Sequence, residues 1–311
     1  MKIINQFKKI KNIYGNSFAI KAIIIRLFSR EKYNRYIFKK INSIYSSTAK
    51  LYSLNKYYDN YNTSNEEKIN IWVFWWQGLE NAPDVVKKCI DTIQKKFDKE
   101  KFKLNIITKS NIYNYCDFPE YIYRKVFDKI ITLTHFSDLI RADLLYRYGG
   151  LWIDATVLVI NDIKFDYFEK YDFFTLISKS SKKIINSRWT GFFMYSKKGY
   201  PLWKYLHECF LDYWKNNDFL IAYLFIDFLI AVYDKNSVEF QNDLDKIPYT
   251  NFHLWSYLRT LNKNFDINEF TEIKSDTDFL KLSYKNEINH GNLQDNYKGK
   301  LTKWGYIKKN L

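Results

Sequence analysis

Strand-like and helix-like segments alternate along residues 69–160, and this alternation constrains the fold more than any other feature of the sequence. Ile69–Trp76 and Phe102–Thr108 are expected to be strands, because both are rich in β-branched and aromatic residues. The segment 84–97 lies between them and carries its apolar residues at helical spacing. This order favours an α/β fold with a mixed, mostly parallel central sheet flanked by helices.

The same patterns predict further elements on both sides of residue 150. Helices are expected over 119–130 and from Ser137 to Tyr148, a strand over Leu151–Ile160, short strands over Phe173–Ile177 and Gly191–Tyr195, and a long helix or helical hairpin over 201–235.

A polar cluster interrupts the most apolar of these strands. Gly149 and Gly150 end the preceding helix, since glycine readily adopts the positive φ of a helix exit. Asp154 then follows the first apolar residues of the strand. Ligands of α/β sheets bind beyond the carboxyl ends of the strands, so Asp154 is placed for chemistry.

Asp138 and Arg141 are three residues apart and therefore share one face of the predicted helix. Such a pair is commonly only a surface salt bridge. Its position before the two glycines and Asp154 favours a functional role instead.

The positive charge is concentrated at the N-terminus. The chain has a formal net charge of +15, and residues 1–68 hold 14 Lys+Arg against 4 Asp+Glu. We therefore divide the chain into a basic helical extension, residues 1–68, and a body, residues 69–311. Helices are expected around Phe18–Phe28 and over Glu31–Tyr45, followed by a polar linker over 59–65.

Three interpretations of the extension stay open at this point. A basic helix pair with apolar residues suits an anionic membrane surface. The alternative is that the helices simply pack on the body and expose a basic face. Nucleic acid is disfavoured, because no reading motif is recognisable and the surplus charge lies in one arm.

Other classes of protein are excluded more directly. The three cysteines are far apart and odd in number, which argues against a disulfide framework. No Cys/His cluster indicates a structural zinc site. The apolar stretch Ala19–Phe28 contains Lys21 and Arg26, is too short to cross a membrane and lacks a signal-peptide cleavage site.

The segment SDLIRADLLYRYGGLWIDATV, residues 137–157, resembles the signature of retaining GT-A glycosyltransferases of the family 32 and capsular polysaccharide synthesis type. A similar signature occurs in the large glucosylating toxins. The stretches IWVFWWQG at 71–78, WTGFFM at 189–194 and FIDF at 225–228 also resemble this group, and the likeness covers about residues 69–311. The resemblance implies a GT-A-type nucleotide-sugar-binding fold.

The resemblance also assigns residues to the donor. The tryptophan of the first strand that stacks on the nucleotide base matches Trp75 best, with Trp76 and Trp72 as register alternatives, although for Trp72 core packing is favoured. Asp138 and Arg141 match contacts to the donor sugar. Asp154 matches the first acid of the DxD motif, near the ribose and the metal, and is expected to be catalytic.

The sequence departs from the family at Thr156, which replaces the second acid of that motif. A divalent cation, Mn²⁺ or Mg²⁺, is still expected, held by Asp154, Thr156, the diphosphate of the donor, water and a C-terminal residue such as His290. Alternatively, lysines near the C-terminus replace the metal and neutralise the departing diphosphate. The candidates are Lys281, Lys285 and Lys303, and Lys285 is assigned to donor binding.

Asp227 is the one acid within the apolar stretch 222–232. Burying a carboxylate without a partner is costly, so it needs a partner or a cavity. We expect it to contact the acceptor hydroxyl or a sugar as a catalytic-site residue. The alternative is a structural acid paired with a helix terminus or an arginine.

Together these observations predict an enzyme, a glycosyltransferase of the hexosyltransferase type. Its donor is expected to be a nucleotide sugar, most simply UDP-linked, transferred with retention. Its acceptor is expected to be a hydroxyl of a surface or capsular polysaccharide or of a lipid-linked oligosaccharide. The expected location is the bacterial cytoplasm, peripherally on the inner face of the membrane. The rivals are a non-catalytic nucleotide-sugar or glycan-binding relative and a basic RNA-binding protein.

Overall fold

A computed structural model describes residues 2–54, 68–177, 188–285 and 293–311. The predicted linker at 59–65 and His290 lie outside these residues. From the N-terminus to residue 153, the elements are α1 (Lys2–Tyr14), α2 (Asn16–Phe28), α3 (Arg30–Leu54), β1 (Ile69–Phe74), α4 (Asp84–Lys96), β2 (Phe102–Ile107), a 3₁₀ helix (Ile112–Asn114), α5 (Glu120–Phe127), α6 (Leu133–Arg147) and β3 (Gly150–Ile153).

The remaining described elements complete the central sheet, form two small two-stranded sheets, β4 with β7 and β8 with β9, and add further helices. They are β4 (Val157–Val159), α7 (Asp166–Glu169), β5 (Phe173–Thr175), β6 (Phe193–Ser196), α8 (Pro201–Asn216), α9 (Phe225–Asn236), α10 (Val238–Asp245), α11 (Ile267–Asp276), β7 (Phe279–Lys281), β8 (Asn296–Tyr297), β9 (Lys300–Leu301) and α12 (Lys303–Asn310).

The central sheet has the strand order β2-β1-β3-β6-β5. β1 is parallel to both β2 and β3, whereas β6 is antiparallel to β3 and to β5. The predicted mixed, mostly parallel sheet flanked by helices is confirmed at this level. The hairpin alternative for residues 201–235 is also confirmed, because α8 and α9 are separate helices.

The prediction of one strand over Leu151–Ile160 is wrong. The backbone N–H of Val157 donates to the carbonyl oxygen of Asp154 over 3.0 Å, which closes a turn between β3 and β4. β4 then pairs with β7 in a second sheet. Asp154 therefore lies at the carboxyl end of β3, where the chain passes from one sheet to the other.

The helix that carries Asp138 and Arg141 begins earlier than predicted. α6 starts at Leu133, and the side chain of Thr132 caps it by accepting a hydrogen bond from the N–H of His135. An oxygen at this position satisfies one of the free N–H groups of the first turn. Ten residues of α6 are buried, so this helix runs through the interior.

The absence of a side chain at Gly150 allows β3 to lie close to β1. Its φ is +96°, and a Cβ atom built on it would lie 2.2 Å from the carbonyl oxygen of Asn70. A side chain is therefore excluded by both backbone conformation and space. The predicted helix exit at Gly149 and Gly150 is confirmed, with φ values of +65° and +96°.

The basic extension is helical, as predicted, although its long helix α3 extends beyond the predicted 31–45. α3 packs against α8 and α9 and buries Ile37, Ile41 and Ala49 in the main core. α2 instead leaves apolar side chains exposed. Phe28 is 85% exposed and Leu27 65% exposed. The division of the chain at residue 68 stays a prediction.

A second, smaller hydrophobic cluster forms around β4, β7 and α12. Leu158, Leu280 and Leu282 are buried there together with Trp304 and Ile307. This cluster holds the strand β7 that ends at Lys281, so its packing positions one wall of the cleft described next.

Candidate functional site

A cleft of about 580 Å³ opens at the carboxyl ends of β1 and β3. Its floor comes from Trp75 and Trp76 after β1 and from residues 154–156 after β3. α6 contributes Asp138 and Arg141 to one side, and the segment 281–285 lines another. The topology places the cleft where ligands bind in parallel α/β sheets.

Asp154 lies at the centre of a charged network in this cleft. Its Oδ1 accepts a hydrogen bond from the indole Nε1 of Trp152 over 3.0 Å and lies 3.6 Å from a terminal guanidinium nitrogen of Arg141. Its Oδ2 lies 2.9 Å from the Nζ of Lys281. The side chain of Asp154 remains one-third exposed, at 33%.

This network determines the ionisation of Asp154. Burial opposes the charged form, but the positive charges of Lys281 and Arg141 outweigh it and hold the pKa of Asp154 below its ordinary value. Asp154 is therefore a carboxylate at neutral pH. It acts in this state as an acceptor and a charge, and it is poorly suited to donate a proton.

Arg141 links Asp154 to Asp138. A guanidinium nitrogen of Arg141 lies 3.3 Å from Oδ1 of Asp138, and Oδ2 of Asp138 lies 3.2 Å from Nδ1 of His135. The Arg141 guanidinium also lies over the ring of Trp152, 4.8 Å from its centroid. Arg141 is only 3% exposed and Asp138 8% exposed, so the interpretation as a surface salt bridge is wrong.

The guanidinium of Arg141 is closely surrounded, and one of its N–H groups, Nε, has no hydrogen-bond partner among the described residues. A Cβ atom on Gly191 would lie 3.3 Å from a terminal nitrogen of Arg141, so the small residue makes room for the guanidinium. Within the part of the chain that the structure describes, the buried Nε of Arg141 has no hydrogen-bond partner. A buried donor of this kind is costly unless a ligand or water satisfies it.

The three tryptophans of the first strand region have different surroundings. Trp72 is 2% exposed and donates from Nε1 to the carbonyl oxygen of Gly149 over 2.8 Å, which agrees with the favoured core packing. Trp75 is half-buried, lines the cleft and meets Tyr284 edge-on at a centroid distance of 5.5 Å. Trp76 also lines the cleft but packs on Phe136 at 5.8 Å. Which of them holds a base stays a prediction.

The three candidate lysines occupy different positions relative to Thr156: Lys281 contacts it, Lys285 lines the same cleft, and Lys303 lies elsewhere. The Nζ of Lys281 donates to Oγ1 of Thr156 over 2.8 Å, because the β4–β7 pairing places Lys281 opposite Val157. Lys285 lines the same cleft. Lys303 does not line it. Its buried side chain pairs with Glu269 at 2.6 Å and lies over the ring of Tyr257.

The described residues do not fit the expected divalent cation. Both oxygens of Asp154 and the hydroxyl of Thr156 already face N–H donors. Across residues 2–54, 68–177, 188–285 and 293–311, no three His, Cys, Asp or Glu side chains are grouped to hold a metal ion. His290, the third predicted ligand, lies outside these ranges.

Asp227 lies in the first turn of α9 and lines the cleft. Its Oδ1 accepts a hydrogen bond from Nε1 of Trp189 over 3.1 Å. The carboxylate thus has a partner and also faces the cleft, which satisfies the requirement stated for an acid in an apolar stretch. A contact to acceptor or sugar stays a prediction.

Three residues of the site were not predicted as contacts. Trp152 and Trp189 hold Asp154 and Asp227 through their indole N–H groups, and Tyr284 contacts Trp75. Trp152 lies only two residues before Asp154, so an indole donor beside a strand-terminal acid is a signal that the sequence contains. The contact of Tyr284 has no local signal, because it depends on long-range packing.

The fold is that of an α/β protein, and its charged cleft lies at the carboxyl ends of the strands. The chain matches the capsular polysaccharide synthesis protein family over residues 20–301 and belongs to that family. The match extends into the basic extension, beyond the residues 69–311 that the sequence motifs reached. The predicted family relationship is confirmed.

Curated relatives are fungal proteins named as glycosyltransferases. The O-glycosyltransferase PaGT of Phomopsis amygdali is 24% identical over 160 residues, which is 47% of this chain and 38% of the relative. The O-glycosyltransferase braB of Annulohypoxylon truncatum is 31% identical over 94 residues, 28% of this chain and 22% of the relative.

A third relative is the glycosyltransferase afumC of Aspergillus fumigatus, 30% identical over 101 residues, 30% of this chain and 26% of the relative. The chain therefore spans less than two-fifths of the length of each of these relatives. The expectation of an enzyme family, the glycosyltransferases, is confirmed at this level. A bacterial origin stays a prediction.

Proposed function

We propose that this chain is a GT-A-type glycosyltransferase that moves a sugar from a nucleotide-sugar donor to a hydroxyl of a glycan acceptor. The family relationship and the glycosyltransferase relatives support this reaction class. The observation that carries the proposal is the linked charges of Asp138, Arg141 and Asp154, of which Asp138 and Arg141 are buried and Asp154 is partly open to the cleft. Such a preorganised charged network is suited to fixing a polar sugar.

The parts of a nucleotide sugar have separate partners in the cleft. The half-buried indole of Trp75 offers a flat apolar surface to a base. The carboxylate of Asp138 would accept bonds from sugar hydroxyls, and the Nε of Arg141, which has no partner among the described residues, would donate to an oxygen of the ligand. Lys281 and Lys285 bring positive charge to the same cleft, which favours a diphosphate leaving group.

The acceptor would enter beside Asp227. Aromatic side chains line this side of the cleft: Tyr223 is 74% exposed and Trp255 39% exposed, and Phe192 meets Trp255 edge-on at 5.3 Å. Exposed aromatic rings provide apolar surface for the faces of sugar rings. Asp227 would accept the bond from the acceptor hydroxyl. Transfer with retention and a UDP-linked donor are part of the proposal through the family resemblance.

The basic extension would bring the enzyme to an anionic membrane surface that carries a lipid-linked acceptor. In α2, Ile20 is 51%, Ile24 49%, Leu27 65% and Phe28 85% exposed, and their spacing places them on one side of the helix. Lys21, Arg26 and Arg30 supply basic groups beside them. An apolar strip with flanking cations is typical of interfacial helices. No helix among the described residues is long and apolar enough to span a bilayer.

Vesicle flotation tests this location. Replacing Leu27 and Phe28 with Gln should reduce binding to anionic vesicles by about tenfold or more, because buried apolar area contributes to interfacial affinity. The matched control replaces Leu51 and Leu54 of α3, which are 57% and 81% exposed, with Gln. Equal binding of both double variants and the wild type would contradict the membrane proposal.

Donor turnover tests the reaction itself. The purified chain is incubated with UDP-, GDP- and TDP-sugars and oligosaccharide acceptors, with Mn²⁺ and with EDTA, and release of nucleoside diphosphate is measured. Asp138→Asn should abolish turnover with the fold retained, whereas Asp98→Asn on the surface should not. Binding of UDP without turnover of any donor would favour a non-catalytic nucleotide-sugar-binding relative.

A further inference from the structure

We infer that Lys281 supplies, from the protein chain itself, the cation that faces the diphosphate of the donor, so that donor binding needs no divalent metal. The inference rests on the proposed function and specifies how the same cleft neutralises its ligand. It follows from where β7 places one ammonium group.

The Lys281 ammonium lies between the side chains of Asp154 and Thr156, the first and third residues of the motif that departs from the family. Its Nζ lies 2.9 Å from Oδ2 of Asp154 and 2.8 Å from Oγ1 of Thr156. A lysine ammonium has three N–H donors. Two of them are used by these partners in the described residues, and the ammonium also lies over the ring of Phe192, 4.7 Å from its centroid. The third N–H is the one we assign to an anionic ligand in the cleft that Lys281 lines.

The replacement of an acid by Thr156 fits this arrangement. A hydroxyl accepts a hydrogen bond from the ammonium but carries no charge, so it orients Lys281 without neutralising it. A second carboxylate at this position would compete with a diphosphate for the same ammonium. The neutral acceptor therefore preserves positive charge where the proposed leaving group needs it.

The same contacts disfavour a divalent cation at Asp154. A metal ion would have to approach oxygens that already face Trp152, Arg141 and Lys281. Two of these three groups are positively charged and would repel it, and partial burial strengthens the repulsion. Hard cations also prefer charged oxygen ligands, whereas Thr156 offers an uncharged hydroxyl that already accepts a hydrogen bond from Lys281.

The position of Lys281 is fixed by backbone contacts of β7 as well as by the contacts of its ammonium group. β7 pairs with β4 so that Lys281 lies opposite Val157, and the backbone N–H of Lys281 donates to the carbonyl oxygen of Leu254 over 2.7 Å. Leu280 and Leu282 on either side are 0% and 1% exposed. A cation fixed in this way is preorganised and costs little reorganisation when the ligand binds.

Titration calorimetry of the full chain with UDP, and with GDP as a second probe, tests the inference in EDTA and in Mn²⁺. The wild type should bind in EDTA, and Mn²⁺ should change its Kd by less than about threefold because the site already has its cation. Lys281→Met should weaken binding in EDTA by about tenfold to a hundredfold, through loss of a charge-assisted hydrogen bond. The control Lys103→Met removes an exposed lysine of β2.

A double variant tests the exchange of cation directly. Thr156→Asp with Lys281→Met restores a pair of acids without the ammonium, and Mn²⁺ should strengthen its UDP binding by about tenfold or more. Wild-type binding that requires Mn²⁺, or Lys281→Met that binds as well as Lys103→Met, would overturn the inference while leaving the proposed function intact. No binding of UDP or GDP in either condition would contradict both. The wild-type comparison needs no variant, so it decides the question even if a variant fails to fold.

Discussion

Gly150 and Asn70 are in such close contact that a Cβ atom on Gly150 would lie 2.2 Å from the carbonyl oxygen of Asn70. This contact joins the amino-terminal ends of β3 and β1, and it sets the spacing of the two parallel strands whose carboxyl ends form the cleft. It makes the helix exit at residues 149–150 a structural requirement of the site and not only a way to end α6.

Gly150→Ala should therefore lower the free energy of unfolding by about 2–4 kcal/mol, from a positive φ combined with overpacking. Gly299→Ala is the control. Its φ is +75°, but a Cβ atom there would meet nothing within 4 Å. We expect a cost of only about 1 kcal/mol for that variant. Urea unfolding measures both, and equal costs would show that crowding at Asn70 contributes nothing.

Arg141 contacts two carboxylates in different elements, which a lysine cannot do with the same geometry. Arg141→Lys should reduce turnover of the donor by about a hundredfold or more, since one guanidinium fixes both Asp138 and Asp154. Arg147→Lys is the control on the same helix, because Arg147 also pairs with an acid, Asp143, at 3.5 Å. Retained turnover in Arg141→Lys would be incompatible with the assigned role.

Asp154 should contribute stability that depends on pH in a defined direction. Its folded pKa is lowered from 3.8, so the contribution is fully present above this value and is lost as the pH falls through the folded pKa. At pH 7, Asp154→Asn should cost about 1–2 kcal/mol, because Lys281 loses its carboxylate partner.

The difference in unfolding free energy between wild type and Asp154→Asn should shrink below about pH 4. The control Asp162→Asn removes an acid that is 78% exposed and pairs with Lys96 at 3.0 Å. It should be nearly neutral at every pH, since exposed ion pairs contribute little. A wild-type advantage over Asp154→Asn that grows on acidification would reverse the assigned sign.

Trp75 and Trp72 should separate binding from stability. Trp75→Ala removes a half-buried ring from the cleft and should weaken UDP binding by about tenfold with a modest change in melting temperature. Trp72→Ala removes a core side chain that is 2% exposed and should destabilise the protein by about 3–5 kcal/mol. If Trp76→Ala weakens binding and Trp75→Ala does not, the base is assigned to the alternative register.

Local patterns in the sequence were sufficient to place much of the site. Two glycines and an acid within an apolar run singled out Asp154 as a residue placed for chemistry, and a three-residue spacing predicted the Asp138–Arg141 contact. These features depend on neighbours in the chain. The burial of that pair was not predicted, because it depends on residues packed from distant elements.

The division of residues 150–159 over two sheets could not be predicted from a continuous apolar run. It depends on β4 pairing with β7, which lies more than a hundred residues further along the chain. The sequence alone named Lys281 as one of three candidate lysines. Only strand pairing distinguishes it from Lys303, which pairs with Glu269.

The packing of the second hydrophobic cluster determines the position of Lys281 in the cleft. Trp304 and Ile307 of α12 pack with Leu280 and Leu282, the neighbours of Lys281. Damage to that packing would displace the ammonium while the five-stranded sheet keeps its register. In a library of random variants, changes at Trp304 would then appear as defects in nucleotide recognition, although the indole does not line the cleft.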